Sequence, residues 1–230
     1  MKAKSVIFFI CVIALLFNTV PVDSNEKTNI VIVIADKAYV KETNDSTSKT
    51  IKELAFGEEV EVLNDNKEGM LYIKTKDDQK GWIKEEETSY IPENWVLFEK
   101  VKGVKFYVPN EQFSFIKSDH IIPEDTTGKA YTEDKLYNKN YFILIHHIFD
   151  SVGNELKRPL NLQYYKKKII KDNIAYYYLT GIERDSNKLV FKVLLAGKKS
   201  DCYDMVIFME TNTKINQIRA KKMIFSFGIQ

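Results

Sequence analysis

Three histidines, one cysteine flanked by carboxylates and one dense run of lysines are the residues with the most chemical potential in this chain. Cys202 lies in Asp201-Cys202-Tyr203-Asp204. A thiol nucleophile needs an imidazole base within hydrogen-bond reach and a setting that favours thiolate, such as a helix N-terminus. His120, His146 and His147 all precede Cys202, which leads into an apolar strand-like run over 205–209. Cys202 therefore reads as a small, half-buried strand residue. His146-His147 has the look of a metal dyad, but adjacent strand residues point to opposite faces. A shared metal would need further ligands, with only His120 left as an imidazole. These histidines read as core or sheet-face residues. Lys166, Lys167 and Lys168, followed by Lys171, form a basic run. It reads as a solvated face or as a contact for an acidic partner, including anionic lipid or the chain's own acidic half. Tyr176-Tyr177-Tyr178 alternates as a strand would, with Tyr177 outward. No phosphate loop, Ser-His-Asp arrangement or close carboxylate pair is legible. The sequence thus offers no catalytic residues, metal ligands or cofactor motif, and the expectation is a non-enzyme.

The elements that hold these residues begin after an export signal. Lys2 and Lys4 precede an uncharged apolar run over 6–17, too short to span a bilayer comfortably. Val22 and Ser24 suit the positions before a cut, so cleavage is expected after Ser24; the rival reading is a retained N-terminal anchor. Cys11 lies inside the apolar run rather than after it, which disfavours lipid attachment. Removal of Cys11 leaves Cys202 alone, with no internal disulfide possible. The expected location is outside the cytoplasm: periplasm, cell envelope or medium.

Charge divides the remainder. Residues 25–93 carry 10 Lys and 16 Asp+Glu, a net of −6, and residues 94–230 carry 22 Lys+Arg and 15 Asp+Glu, a net of +7. The overall +2 argues against nucleic-acid binding by bulk charge. Attraction between the halves is expected, with Lys166, Lys167, Lys168, Lys221 and Lys222 facing Glu85, Glu86 and Glu87. Exposed pairs give only about 0–1 kcal/mol each, so such docking would be marginal and salt-sensitive.

The acidic half reads as short strands with turns between them, as in a small barrel. Ala38-Tyr39-Val40-Lys41, a polar loop over 43–50, Ile51 and Leu54, Phe56-Gly57-Glu58-Glu59-Val60-Glu61-Val62, and Lys80-Gly81-Trp82-Ile83 follow in order. Together they resemble a bacterial SH3 (SH3b) domain over about residues 30–90, within a unit expected at 25–91. Lys41 replaces the family's usual Arg, Met70 stands where a Trp is usual, and the Gly-Pro-Ser of the first loop is absent. The resemblance implies recognition of a cell-wall peptide or a protein, through an aromatic groove that would use Tyr39, Tyr72 and Trp82. The competing reading places Trp82 and Tyr39 in the barrel core. Gly81 is read as serving a tight turn.

The basic half, 94–230, reads as an α+β domain. Stretches 95–101, 105–108 and 112–117 suggest a meander. Residues 141–149 are apolar on both faces and suggest a covered central strand. Leu162, Tyr165 and Ile169 follow Pro159 at helical spacing, predicting a helix over 159–171. Three antiparallel strands are expected over 174–182, 188–196 and 202–209. A last helix should start near Thr213, burying Ala220, Met223, Ile224 and Phe227 while Lys221 and Lys222 point away. Ile215 and Ile218 do not fit that stripe. The ending Ile218-Arg219-Ala220-Lys221-Lys222-Met223-Ile224-Phe225-Ser226-Phe227 resembles the C-terminal helix of PsbP/Mog1-like domains, which implies assembly or binding rather than catalysis.

The SH3b resemblance also brings an enzymatic alternative, because such domains accompany cell-wall cysteine peptidases with a motif like Asp-Cys-Ser-Gly and a later histidine. Here no histidine follows Cys202. The sequence therefore points to an exported two-domain binding or adaptor protein of a bacterial envelope. The alternatives are an accessory component of a peptidoglycan hydrolase system and, if a closed apolar cavity exists between sheet and helix, carriage of a small ligand.

Overall fold

Alternating apolar and polar residues set the first sheet. In the computed structural model, which describes residues 29–66, 68–118, 131–156, 162–171, 174–197 and 201–229 (backbone only at 65–66 and 162–166), β1 is Asn29–Ile32, β2 Lys37–Lys41, β3 Thr50–Ala55, β4 Glu59–Asn66, β5 Met70–Thr75 and β6 Lys80–Lys84. The N-terminal apolar run over 6–17, His120 and Pro159 lie outside the described residues. These strands form one antiparallel sheet in the order β1-β4-β5-β6-β2-β3. Ala38 and Val40, Leu54, Val60, Leu71 and Ile73, and Ile83 all point to one side and build a core of their own with Val31 and Val33. Gly81 has a physical reason other than the expected turn. It lies within β6, and a Cβ there would sit 2.6 Å from Val40 Cγ1 and 2.7 Å from the Lys41 carbonyl. Close approach of β2 excludes a side chain.

The second half adds β7 Val96–Phe98, β8 Val104–Val108, β9 Ser114–Ile116, β10 Tyr131–Tyr137, β11 Tyr141–Ile148, α1 Val152–Glu155, β12 Leu162–Lys171, β13 Ile174–Glu183, β14 Leu189–Ala196, β15 Cys202–Met209, α2 Lys214–Ser226 and β16 Gly228–Ile229. A seven-stranded sheet runs β12-β13-β14-β15-β11-β10-β9, and β16-β8-β7 form a separate three-stranded sheet. The protein is thus mostly antiparallel β-sheet with little helix. β11 is interior, as its apolar sequence required, and β13, β14 and β15 are successive neighbours. The expected meander divides, because β7 and β8 pair with each other while β9 joins β10 in the large sheet.

The expected helix over 159–171 is not formed. Leu162–Lys171 is strand β12, paired with β13 along its whole length. Three apolar residues matched a helical period, but Ile169 is buried between exposed Lys168 and Ile170, the period of a strand. Aromatic and β-branched neighbours favour extension, and lysines suit a strand at a sheet edge, where charge discourages further pairing.

Helix α2 starts where expected. Thr213 Oγ1 accepts a hydrogen bond from the Asn216 amide as N-cap. Ala220, Met223 and Ile224 are buried, and Phe227 is buried just past the last turn. Ile215 is exposed, while Ile218 packs on the edge of the core. Lys222, expected outward, is only 3% exposed, and Lys221 is half-buried. The reason is that α2 is covered on both sides. One core cluster joins Ile32, Ile34 and Phe56 of the first half to Ile143, Phe191, Met205, Met223 and Phe225 of the second. The lysine heads find specific acceptors. Lys222 Nζ donates to Glu85 Oε1 at 3.0 Å and to the Tyr90 carbonyl at 2.6 Å, and Lys221 Nζ donates to the Ile34 carbonyl at 2.9 Å. Burial pushes the Lys222 ammonium down, and Glu85 opposes this without reversing it.

Candidate functional site

Two assemblies of side chains stand out, one aromatic and partly exposed, the other charged and buried. The first lies on the outward side of the six-stranded sheet. Tyr72 and Trp82 are directly opposite on β5 and β6, and Lys41 of β2 is opposite Trp82. Strand alternation puts Tyr39 on the same side as Lys41. The Tyr72 and Trp82 rings are 5.1 Å apart and tilted by 42°, the geometry of a favourable aromatic pair. Both are half-buried, and Tyr39 is 42% exposed. None of the three belongs to the sheet's core, so the reading of Trp82 and Tyr39 as core residues is corrected. The inward positions are taken by Val40, Leu71, Ile73 and Ile83. The surface is amphiphilic, with Lys74 bridging to Glu61 at 2.7 Å beside the aromatic pair.

The second assembly lies on the face of the large sheet opposite α2. His146 on β11 donates from Nδ1 to Asp204 Oδ1 on β15 at 2.6 Å and from Nε2 to Glu133 Oε2 on β10 at 3.0 Å. Lys192 on β14 meets Asp204 Oδ2 at 2.6 Å and Glu155 Oε1 of α1 at 3.5 Å, and Lys135 meets Glu133 at 2.9 Å. Register creates the cluster, since His146 is directly opposite both Asp204 and Glu133. Its three cations and three carboxylates balance. With a carboxylate on each ring nitrogen, His146 is the doubly protonated imidazolium. Burial alone would lower its pKa, but Asp204 and Glu133 outweigh burial and hold it at about 9. Burial opposes ionisation of Asp204, yet Lys192 and His146 keep that carboxyl well below the usual carboxylate range. The His146 hydrogen bond draws Glu133 down to about 2. Burial also opposes the Lys192 charge, but Asp204 and Glu155 raise it overall.

This arrangement holds protons rather than passing them. The imidazolium has no lone pair for a base or a metal, and among the described residues no group of three or more His, Cys, Asp or Glu is placed to hold a metal ion. It does impose a pH dependence. A histidine raised from about 6.5 to about 9 stabilises the fold fully below pH 6.5 and loses that contribution as pH rises through 9, on the order of 3 kcal/mol in all. The depressed carboxylates act at the other end. Their contribution is present above their unfolded values near 4 and disappears as pH falls through their folded ones. Urea midpoints are therefore expected to be highest between about pH 5 and 6.5 and clearly lower at pH 9.5. His146→Gln should flatten the alkaline limb, and a wild-type midpoint equal at pH 6 and 9.5 would contradict the assignment.

Sequence reasoning missed this cluster, although a signal was present. Lys192 interrupts the apolar run of β14, and Asp204 sits within β15. A charge in the middle of a buried strand must be paired. His147, on the opposite face, gives Nε2 to Asp201 Oδ2 at 2.7 Å and stacks on Tyr203 with centroids 4.5 Å apart. The two histidines thus serve separate sites, as alternation demands. Cys202 is fully buried beside Ile148, Leu179 and Leu194. Its strand setting and the commitment of His146 to carboxylates leave it without the features of a nucleophile.

The basic run is not one surface. Lys167 Nζ donates to the Phe56 carbonyl, while Lys168 is exposed with its ammonium 5.7 Å from the Tyr177 ring. The Lys166 side chain lies outside the described set. Two orientations on one strand cannot make the continuous patch expected of a helix. Compared with family models, curated proteins and solved structures, the chain finds no match. Among the described residues no helix is long and apolar enough to cross a membrane.

Proposed function

We propose that this chain is an exported, non-enzymatic binding protein of the bacterial envelope. In this reading the six-stranded sheet is an SH3b-like barrel that recognises a peptide or protein, and the second half is an α+β domain that supports it. The observation that carries the reading is the Tyr72–Trp82 pair with exposed Tyr39 on the outward side of the sheet. Large aromatic side chains kept out of the core, on rigid strands and beside charged residues, have the composition of a recognition surface. The motif order behind the SH3b resemblance supports the same assignment, and the charge-saturated state of His146 and Asp204 favours a structural over a catalytic role for the buried cluster. The basic half does not require a separate lysine patch in this scheme, because Lys167 is engaged with Phe56.

Co-sedimentation of the protein with purified cell-wall sacculi, beside cross-linking in envelope extracts, tests the proposal. Trp82→Ala is expected to fold, losing about 2–3 kcal/mol for the cross-strand aromatic pair and the half-buried indole together, and to weaken capture about tenfold or more. Unchanged capture by a folded Trp82→Ala and Tyr39→Ala double variant would remove this face from the account. Collapse of the fold on Trp82→Ala would instead make the pair a structural element.

A further inference from the structure

Strand β1 ends the six-stranded sheet, with β4 on one side and the segment after β6 on the other. That segment pairs with only part of the free edge. The Ile34 amide donates to the Glu87 carbonyl at 2.8 Å. The Ile32 amide donates to Ser89 Oγ at 2.9 Å, and the Ser89 amide donates to the Ile32 carbonyl at 2.8 Å. Val33, between them, turns the other way: its amide donates to the Glu58 carbonyl and its carbonyl accepts from the Gly57 amide, both at 2.9 Å. In an antiparallel sheet the amide and carbonyl of one residue point to one neighbour, and the next-but-one residue repeats them. The Ile30 amide and carbonyl therefore point away from β4, as those of Ile32 do. The pairing stops at Ser89, and among the described residues neither Ile30 group has a partner on that side.

Where the pairing stops, a cleft of about 710 Å³ opens between Ile30, the segment after Ser89 and the second half. Tyr90 and Trp95 at the cleft are half-buried and Tyr107 is 37% exposed, so each keeps accessible surface there. The Ile30 and Ile32 side chains share one side of β1. Ile32 belongs to the core shared with the second half. Residues directly opposite on neighbouring strands share a face, so a residue placed opposite Ile30 would turn its side chain toward the second half, where Trp95 and Tyr107 line the cleft. The two charged residues at the cleft differ in their commitments. Lys171 Nζ donates to the Phe225 carbonyl at 3.3 Å. Glu93 is exposed, and among the described residues no cation lies within salt-bridge distance of it. The charge left for a partner is therefore negative.

We propose that the free edge of β1 at Ile30 takes up an extended basic peptide as an additional strand, with an apolar side chain opposite Ile30 and a lysine beside Glu93. An unpaired amide and carbonyl on a strand edge are a template for another backbone. In strand addition the main-chain bonds supply affinity and the side-chain pockets supply selectivity. The peptide runs antiparallel to β1, because it continues a pairing of that sense: Val33 and Thr88 form an antiparallel bridge. The residue opposite Ile30 then exchanges both hydrogen bonds with it. The site is separate from Tyr39, Tyr72 and Trp82 and does not rest on the role assigned to them.

Amide chemical-shift titration of the full chain with the capped peptide acetyl-Lys-Val-Phe-Val-Lys-amide tests this. Saturable 1:1 binding is expected, centred on a downfield shift of the Ile30 amide. The same peptide N-methylated at Phe lacks the donor for the Ile30 carbonyl and should bind at least about tenfold more weakly. N-methylation of the Val after Phe, whose amide faces away from β1, should change affinity less than about twofold. Ile30→Pro removes the free amide where an edge strand tolerates proline, and should also weaken binding at least about tenfold. Glu93→Gln should cost up to about fivefold, and only at low salt, as for an exposed pair. Trp82→Ala should bind the peptide as the wild type does. Absence of a saturable shift at Ile30, or equal affinity for the peptide N-methylated at Phe, would overturn the proposal. So would an Ile30 amide already protected from exchange without peptide, which means that the chain's own residues fill the edge. Concentration-dependent shifts at Ile30 in the protein alone would overturn it in favour of a second copy. If Ile30→Pro fails to fold, the pair of N-methylated peptides decides.

Discussion

Asp204→Ala is expected to cost about 3–5 kcal/mol, a large part of the stability of an ordinary domain. Asp204 is 1% exposed and accepts from two cations at once, the His146 imidazolium and the Lys192 ammonium, each at 2.6 Å. Truncation removes the shared counter-ion and leaves two positive charges in a desolvated place. Glu133 and Glu155 each face one of those cations, but neither can take both. A buried ion pair is weak evidence for net stabilisation, since an apolar replacement of the whole group can be neutral or better. Removing one member is a different matter, because the uncompensated charge must lose its proton or draw in water. Asp204→Asn should recover part of the loss by retaining an acceptor, and adding Lys192→Met to Asp204→Ala should recover more by removing one stranded cation. Urea unfolding at pH 6 measures all three. A loss below about 1 kcal/mol in Asp204→Ala would mean that the cluster is hydrated and that its charges do not depend on one another.

The cluster shows where sequence reasoning stops. Alternation in β5 and extended apolar runs in β11 and β13 to β15 made the places of those strands legible. Thr213 and the apolar stripe of α2 gave the last helix. Cross-strand register was not legible, and it alone brings His146 opposite both Asp204 and Glu133. The fate of Lys222 had the same cause. On an isolated helix it belongs to the polar side, and only the packing of the first half over α2 turns that side inward. Residues 162–171 failed differently, because a short apolar pattern fits two periods and edge-strand lysines mimic a helix's solvent face. The aromatic candidates sat between these cases. Tyr39, Tyr72 and Trp82 were identifiable by type, but their placement outside the core depends on which side of each strand faces in, and a single residue of register reverses that.

Phe56→Ala is expected to lower stability by about 3–5 kcal/mol and to loosen the junction between the halves. The Phe56 side chain belongs to the acidic half and is inserted among residues of the basic half, with its ring 5.2 Å from Tyr178 and 6.1 Å from Phe225. The turn that presents it is fixed by Gly57 at φ +87°, a conformation that side chains resist, and by the Gly57 amide bonding to the Val33 carbonyl at 2.9 Å. Lys167 and Lys221 add cation–π contacts to the ring, each about 0.5–1 kcal/mol or somewhat more when desolvated. Charge asymmetry alone suggested a marginal, salt-sensitive attraction, with Glu85, Glu86 and Glu87 facing the lysines. Of these, Glu85 pairs with Lys222. Among the described residues the other side-chain hydrogen bonds across the junction are lysine heads on backbone carbonyls, set in apolar surface, with weaker attraction of Asp36 for Lys221. Salt screens exposed charge but does not weaken apolar burial. The radius of gyration in small-angle scattering should therefore be the same at low and high ionic strength in the wild type. In Phe56→Ala the junction has lost its anchor, so the thermal midpoint should fall and the radius should increase as the halves separate before unfolding. Expansion of the wild type in high salt, together with an unperturbed Phe56→Ala, would return the junction to electrostatics and take Phe56 out of the account.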